Sequence, residues 1–122
     1  MKQRAHRSQL IAAIKEKFPE LREAINQERG LLTYEMKVFM QFVQTQIDLG
    51  QQLKVSEAYQ LLSEYYLNGN KALANVIRNA IAEDLVLADT KKVNRAWAFH
   101  ALPEPLKAER RAWFTFMEYP SE

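Results

Sequence analysis

The sequence predicts an all-α fold: a compact single-domain bundle of about six to seven helices joined by short turns. Each of the three glycines, Gly30, Gly50 and Gly69, closes a run of helix-forming residues. Glycine is favoured there because it enters the left-handed conformation without a Cβ penalty. The four prolines lie only at junctions or in the tail, and no stretch has the period-two alternation of a strand. The 122 residues, 48% of them apolar, suffice for one domain with a core but not for two.

The amino-terminal part of the chain predicts three helices. The first runs from Ser8 to Lys17 and follows residues 1–7, which we expect to form a disordered basic arm. Pro19 opens a second, short helix from Glu20 to Arg29, whose early acids suit the positive end of the helix dipole. The longest segment, Leu31 to Leu49, is apolar around most of its circumference. This pattern predicts a helix buried in the middle of the bundle.

The next two helices meet at the junction Asn68-Gly69-Asn70. Gln51 to Asn68 forms the first of them, and Gly69 suits the position just past its end. Asn70 suits the N-cap of the second helix, Lys71 to Leu87. This second helix has the cleanest amphipathic pattern in the chain, with Arg78, Asn79 and Glu83 on its polar face.

Two further helices complete the predicted bundle. Asp89-Thr90 breaks the preceding run and caps a helix from Lys91 to Ala101, in which the expected inward-facing residues are Val93, Ala96, Trp97 and His100. The prolines of Leu102-Pro103-Glu104-Pro105 predict a rigid turn. A last helix runs from Leu106 to Met117, before a tail over residues 118–122.

The net charge of +2 is unevenly distributed along the chain. Residues 1–17 carry five Lys or Arg and one Glu, residues 18–90 carry six bases and ten acids, and residues 91–122 carry six bases and four acids. The basic residues fall into three groups: Lys2, Arg4, Arg7, Lys15 and Lys17; Lys91, Lys92 and Arg95; Lys107, Arg110 and Arg111. If these groups meet in space they form a phosphate-binding surface. The acidic middle and the lack of a helix-turn-helix pattern make nucleic-acid binding the alternative rather than the main hypothesis.

Catalytic motifs are absent from the sequence. It has no cysteine, and it contains no Gly-rich phosphate loop, nucleophile elbow or zincin motif. The two histidines, His6 and His100, lie in separate regions of the chain. Paired carboxylates can perform acid–base chemistry, but solvated helix faces are the simpler interpretation of the acids. We therefore expect a protein that is not an enzyme and that uses no metal and no cofactor.

No apolar run approaches the ~20 residues that span a bilayer, so we expect a cytoplasmic protein without a membrane partner.

Several short segments together resemble a bacterial all-helical family of uncharacterised small proteins, which includes immunity proteins of contact-dependent growth inhibition and related polymorphic toxin systems. The segments are Phe18-Pro19-Glu20-Leu21, Gly30-Leu31-Leu32, Glu35-Met36, Phe39, Phe42 with Gln44, Asn68-Gly69-Asn70 with Leu73, Asn75 and Ile77, and Ala101-Leu102-Pro103 with Leu106. The resemblance covers residues 18–106. It implies a cytosolic, non-enzymatic protein that binds and neutralises a toxin nuclease domain, and it assigns no site residues.

The acidic middle of the chain supplies the predicted binding surface for such a nuclease. An RNase with a basic substrate cleft would attract acidic helices electrostatically, and the bound protein would cover the active site. The predicted partner-binding residues are Glu57, Glu64, Tyr66, Glu83, Asp84 and Asp89. We expect the protein to be a monomer before the complex forms. Two alternatives remain: a nucleic-acid-binding accessory protein that uses the basic termini, and a small helical regulator of another protein.

Overall fold

A computed structural model describes residues 5–28 and 32–116 of the chain. Within these ranges lie seven α-helices and one 3-10 turn, and no strand. The helices are α1 (Arg7–Lys17), α2 (Arg22–Gln27), α3 (Leu32–Asp48), α4 (Gln52–Asn68), α5 (Lys71–Glu83), α6 (Ala96–His100) and α7 (Glu104–Phe116), and the 3-10 turn is Pro19–Leu21. The predicted all-α bundle is therefore confirmed. No described helix combines the length and the apolar character that a membrane-spanning segment requires.

Helix α3 lies at the centre of the bundle, as predicted. It packs against α1, α2, α4 and α5, and Phe39 and Val43 on its inner face are completely buried. Burial does not extend around the whole helix, because Tyr34 is 52% exposed. Lys37 and Gln41, four residues apart, are also exposed and form a polar stripe on the same helix. One face of the central helix is therefore open to solvent.

The glycines end helices for two different reasons. Gly50, between α3 and α4, has the predicted left-handed conformation with φ of 72°. At Gly69 the prediction is wrong, because its φ of −76° and ψ of 158° are extended. A Cβ at this position would collide with the Tyr65 carbonyl oxygen and would lie 3.0 Å from Leu73 Cδ2. Close packing therefore requires glycine at position 69, whereas the predicted helix end at Gly30 lies outside the described residues.

The first described residues are held against the junction between α4 and α5. The Ala5 amide donates to the Asn68 carbonyl at 2.9 Å, and the Asn70 amide donates to the Ala5 carbonyl at 2.9 Å. The Asn70 side chain also accepts a hydrogen bond from the Leu73 amide at 2.9 Å, which is the predicted N-cap of α5. Residues 5–7 thus belong to the bundle rather than to a disordered arm. Residues 1–4 and the predicted tail lie outside the described ranges.

The connection from α5 to α6 differs most from the predicted structure. α5 ends at Glu83, and residues 84–95 form a loop, so that α6 contains only Ala96–His100. Its inner face is formed by Ala98 and Phe99, which are buried, whereas Val93, Ala96 and Trp97 are half-buried and His100 is exposed. The predicted inward set is therefore right for Trp97, which packs against the core, and wrong for His100. It also omitted the two buried residues, Ala98 and Phe99.

Two hydrogen bonds from buried side chains connect the later helices. The Tyr59 hydroxyl, on α4, donates to the Ala98 carbonyl at 3.0 Å. The Arg110 side chain, on α7, is only 1% exposed, and its Nη1 donates to the Ile81 carbonyl in the last turn of α5 at 2.9 Å. A cation is favoured at this end of a helix because the carbonyl groups there carry partial negative charge. The first bond joins α4 to α6 and the second joins α7 to α5, and α5 itself packs against both α4 and α7.

Candidate functional site

The described residues form a groove between α3 and α5. It consists of two adjoining depressions of about 420 Å³ and about 330 Å³. Lys37 of α3 and Asp84 at the end of α5 line both depressions, so the two form one continuous groove. We call it the α3–α5 groove.

The floor of the α3–α5 groove is mainly apolar. Met36 and Met40 of α3 and Ala80 of α5 line it and are almost fully buried, and Val76 is half-buried beside them. Methionine side chains are flexible and polarisable, so they adapt to the shape of an apolar ligand. The floor is therefore suited to contact the apolar part of a side chain from another molecule.

The charged groups of the groove lie at its rim. Glu83 and Asp84 are both exposed, and neither side chain forms an ion pair or a hydrogen bond with another described residue. Lys37 lies across the groove with its Nζ 5.8 Å from the centre of the Tyr34 ring. Partial desolvation raises the pKa of Asp84 above its ordinary value, although the nearby Lys37 charge opposes the change. The rim thus holds two carboxylates without partners among the described residues.

A second depression of about 180 Å³ lies between α5 and α7. Arg78 and Asn79 of α5 line it together with Glu109 and Trp113 of α7. Asn79 also lines the α3–α5 groove, so the exposed side of α5 forms a ridge between the two concavities. We call the ridge and its two concavities the α5 face.

Tyr66 of α4 lies at the α7 side of the α5 face. Its hydroxyl donates to Glu109 Oε1 at 2.8 Å. Burial raises the pKa of Tyr66, and the hydrogen bond to the Glu109 carboxylate raises it further, while the charge of Arg78 lowers it. The hydrogen bond fixes the Glu109 side chain, which lines the depression.

A family model described as a domain of unknown function, DUF7674, matches residues 11–117. The chain belongs to the DUF7674 family. The match extends from α1 to just beyond α7, so the whole α5 face lies within it. No curated protein and no solved structure matches the chain significantly.

The six predicted partner-binding residues of this DUF7674 domain lie in three places. Glu83 and Asp84 line the α3–α5 groove, and Tyr66 contacts a residue of the second depression. Glu57 and Glu64 lie instead on the side of α4 that faces α1: Glu57 forms a 3.0 Å ion pair with Lys17, and Glu64 is exposed. The structure thus brings three of the six residues to the α5 face.

Asp89, the sixth predicted residue, lies in the loop of residues 84–95. Its Oδ1 accepts hydrogen bonds from the amides of Arg95 and Ala96, at 2.7 and 2.8 Å, which caps the start of α6. These two backbone hydrogen bonds lower the pKa of Asp89. The structure therefore gives this carboxylate an intramolecular role at the start of a helix.

The same loop is attached to α3 by polar side chains. The Gln44 amide group both donates to the Val86 carbonyl, at 3.0 Å, and accepts from the Val86 amide, at 2.9 Å. Arg95 Nε donates to Asp48 Oδ1 at 2.7 Å, and this hydrogen bond lowers the pKa of Asp48. Gln44 also lines the α3–α5 groove, so the loop and the groove share one supporting residue.

Several residues of the α5 face were not predicted as site residues. Lys37 and Gln44 belong to a polar stripe on α3, at residues 37, 41, 44 and 48, which is visible in the sequence at helical spacing. Asn79 was recognised only as part of the polar face of α5. Trp113 of α7 is half-buried and lines the second depression. Only the helix packing shows that these positions are neighbours.

Several members of the basic groups of this DUF7674 domain form contacts within the chain. Lys17 pairs with Glu57, and Arg95 pairs with Asp48. Arg110 is buried, as described above, and Arg111 forms a 3.0 Å ion pair with Glu104. Lys107 Nζ donates to the His100 carbonyl and lies 5.6 Å from the centre of the Phe99 ring. Lys2 and Arg4 lie outside the described residues. Ion pairs thus neutralise Lys17, Arg95 and Arg111, whereas Lys91 and Lys92 are exposed.

Within the described part of the chain, no three His, Asp or Glu side chains are placed to hold a metal ion.

Asp84 and Asp89 are expected to affect stability in opposite directions. The pKa of Asp84 is raised above 3.8, so its protonated form stabilises the folded state at low pH. This stability is lost as the pH rises through the folded-state pKa. The pKa of Asp89 is lowered, so its charge adds stability that is lost as the pH falls through its folded-state pKa. At pH 7, Asp84→Asn should therefore raise the melting temperature, and Asp89→Asn should lower it.

Thermal melts followed by circular dichroism between pH 7 and pH 2 test this pair of variants, which carry the same change of charge. For both variants, the difference in melting temperature from wild type should shrink as the pH falls and the carboxyl groups become protonated. A shift of the same sign for both variants at pH 7 would contradict the assigned environments.

Proposed function

We propose that this protein is an immunity protein that binds a toxin nuclease domain, an RNase, and neutralises it by covering its active site. It acts in the cytoplasm, is not an enzyme, and is a monomer before the complex forms. The observation that carries the proposal is the α5 face, which combines two concavities, an aromatic side chain and two carboxylates that no other described residue pairs with.

The charge of the α5 face supports a basic protein as the partner. The cleft of an RNase must attract phosphate groups, and it does so with Lys and Arg. Glu83 and Asp84 have the opposite sign and have no ion pair with the described bases. Charge complementarity of this kind accelerates association and excludes partners of the wrong sign.

The shape of the α5 face supports a protein partner as well. Interfaces concentrate their binding energy in a few anchors, and Trp, Tyr and Arg are enriched among these. Trp113 is half-buried in the second depression, and Tyr66 holds the neighbouring Glu109 in place. Two projecting segments of a partner would contact Trp113 on one side of the α5 ridge and the methionine floor on the other.

Co-purification from the native host, at low and at moderate salt, tests this function. We expect one stoichiometric protein partner that survives moderate salt, and we expect the separated partner to cleave RNA. Adding the purified chain back in equal amount should abolish that cleavage. Recovery of nucleic acid alone, lost as the salt concentration rises, would favour the nucleic-acid alternative instead. A protein partner without nuclease activity would favour the regulator.

A further inference from the structure

The two carboxylates of the α3–α5 groove lie where they do not assist folding. Glu83 and Asp84 are at the carboxy-terminal end of α5, which is the negative end of the helix dipole. An acidic side chain is disfavoured at that end, and partial desolvation of Asp84 adds to the cost. Such a placement is typical of a binding site, where stability is sacrificed for function.

The groove carries one base against these two acids. Lys37 lines both halves of the groove, but its Nζ is not within 4.0 Å of either carboxylate, and it lies near the Tyr34 ring instead. The rim therefore remains net negative. An incoming cation would find two acceptors that no described residue already occupies.

The floor next to these acids favours a cation with an apolar stem. Met36, Met40 and Val76 line the groove beside the carboxylates. A long basic side chain buries its methylene groups on apolar surface while its charged end reaches a polar rim. A purely apolar ligand would desolvate Asp84 further without pairing it, which is costly. A phosphate group would be repelled.

Arginine fits this combination better than lysine does. Its planar guanidinium presents several N–H donors in a fixed fork, and this fork can bond two carboxylate groups at once. It is also more weakly hydrated than an ammonium group, so it is more easily transferred into a partly desolvated groove.

We propose that the α3–α5 groove binds an arginine side chain of the partner protein, with the guanidinium between Glu83 and Asp84 and the stem on the methionine floor. This inference rests on the proposed function for the identity of the partner. In that setting, the arginine is one that the nuclease uses to hold RNA phosphate. By binding this arginine, the immunity protein would compete with the RNA substrate.

A titration with short peptides tests the groove directly, without the nuclease. The probe is acetyl-Ala-Arg-Ala-amide, and its control is the same peptide with citrulline, which has nearly the same shape but no charge. Binding is followed by the amide shifts of the ¹⁵N-labelled protein. We expect saturable shifts at Lys37, Asn79, Glu83 and Asp84 with the arginine peptide, with a dissociation constant on the order of millimolar.

Two variants control for general acidity. Glu83→Gln together with Asp84→Asn should abolish the saturable shifts, whereas Glu16→Gln together with Glu23→Gln should preserve them. Glu16 and Glu23 are exposed carboxylates outside the groove, on α1 and α2. Equal shifts with citrulline, no saturable shifts at all, or equal shifts around Glu16 and Glu23 would each overturn the groove assignment.

The same variants separate this inference from the proposed function. In the nuclease complex, Glu83→Gln with Asp84→Asn should weaken binding about tenfold or more, because a charge pair in the interface loses one partner. If the nuclease binds this variant as tightly as wild type, the arginine assignment fails and the immunity function stands. If the arginine peptide binds but the co-purified partner is no nuclease, the groove assignment stands and the immunity function fails.

Discussion

Replacing Gly69 with alanine is expected to destabilise the folded protein by about 3 kcal/mol, at the upper end of the usual cost of overpacking. The new Cβ would meet the Tyr65 carbonyl oxygen, which is part of the α4 backbone and cannot rotate away. It would also press on the Leu73 side chain of α5. Relief requires α4 and α5 to separate at a junction that also holds Ala5.

Urea unfolding of Gly69→Ala and Gly50→Ala measures this effect against a matched control. Gly50 has φ of 72° and no atom within 4 Å of an added Cβ, so its substitution costs only the left-handed strain of about 1 kcal/mol. A smaller loss of stability for Gly69→Ala than for Gly50→Ala would contradict the close packing at the junction.

Replacing Arg110 with alanine is expected to cost about 3 kcal/mol, near the upper value for losing a hydrogen bond from a charged group. The side chain is 1% exposed, and its Nη1 donates to the Ile81 carbonyl at the end of α5. Truncation would leave the Ile81 carbonyl of α5 without this donor and would leave a cavity between α5 and α7.

Two further variants separate the causes of this loss. Arg110→Met retains most of the volume and should cost less than Arg110→Ala, since apolar residues of similar size often replace a buried charge well. Arg111, the residue after Arg110, forms an exposed ion pair with Glu104, and Arg111→Ala should cost less than about 1 kcal/mol. Equal unfolding free energies for Arg110→Ala and Arg111→Ala in urea would contradict the buried role of Arg110.

The sequence predicts helices best where local residue types mark their ends. The boundary between α4 and α5 is correct because Asn68-Gly69-Asn70 carries both a helix end and an N-cap. Its glycine was assigned for the wrong reason, because a close approach between α4 and α5 is a tertiary property. The loop of residues 84–95 was missed because Gln44 bonds Val86 from 42 residues away, and no local pattern reports such a contact.

The candidate site is predictable only in part, for a similar reason. Charge along the chain identified Glu83 and Asp84, but it identified Glu57 and Asp89 equally well. The first pair is without partners among the described residues, whereas Glu57 pairs with Lys17 and Asp89 caps α6. Arg110 was grouped with exposed bases, although it is buried. Whether a charge is free or engaged depends on the neighbours that folding provides.

The most direct test of the α5 face is the affinity for the co-purified nuclease domain, measured by isothermal titration calorimetry. Glu83→Lys with Asp84→Lys should weaken binding about 100-fold, because two attractive charges become repulsive. Glu16→Lys with Glu23→Lys makes the same change of charge on α1 and α2, and it should alter the affinity by less than about threefold. Helical circular dichroism should be unchanged in both variants. Wild-type affinity in the first variant, or an equal loss in both, would contradict the α5 face as the binding surface.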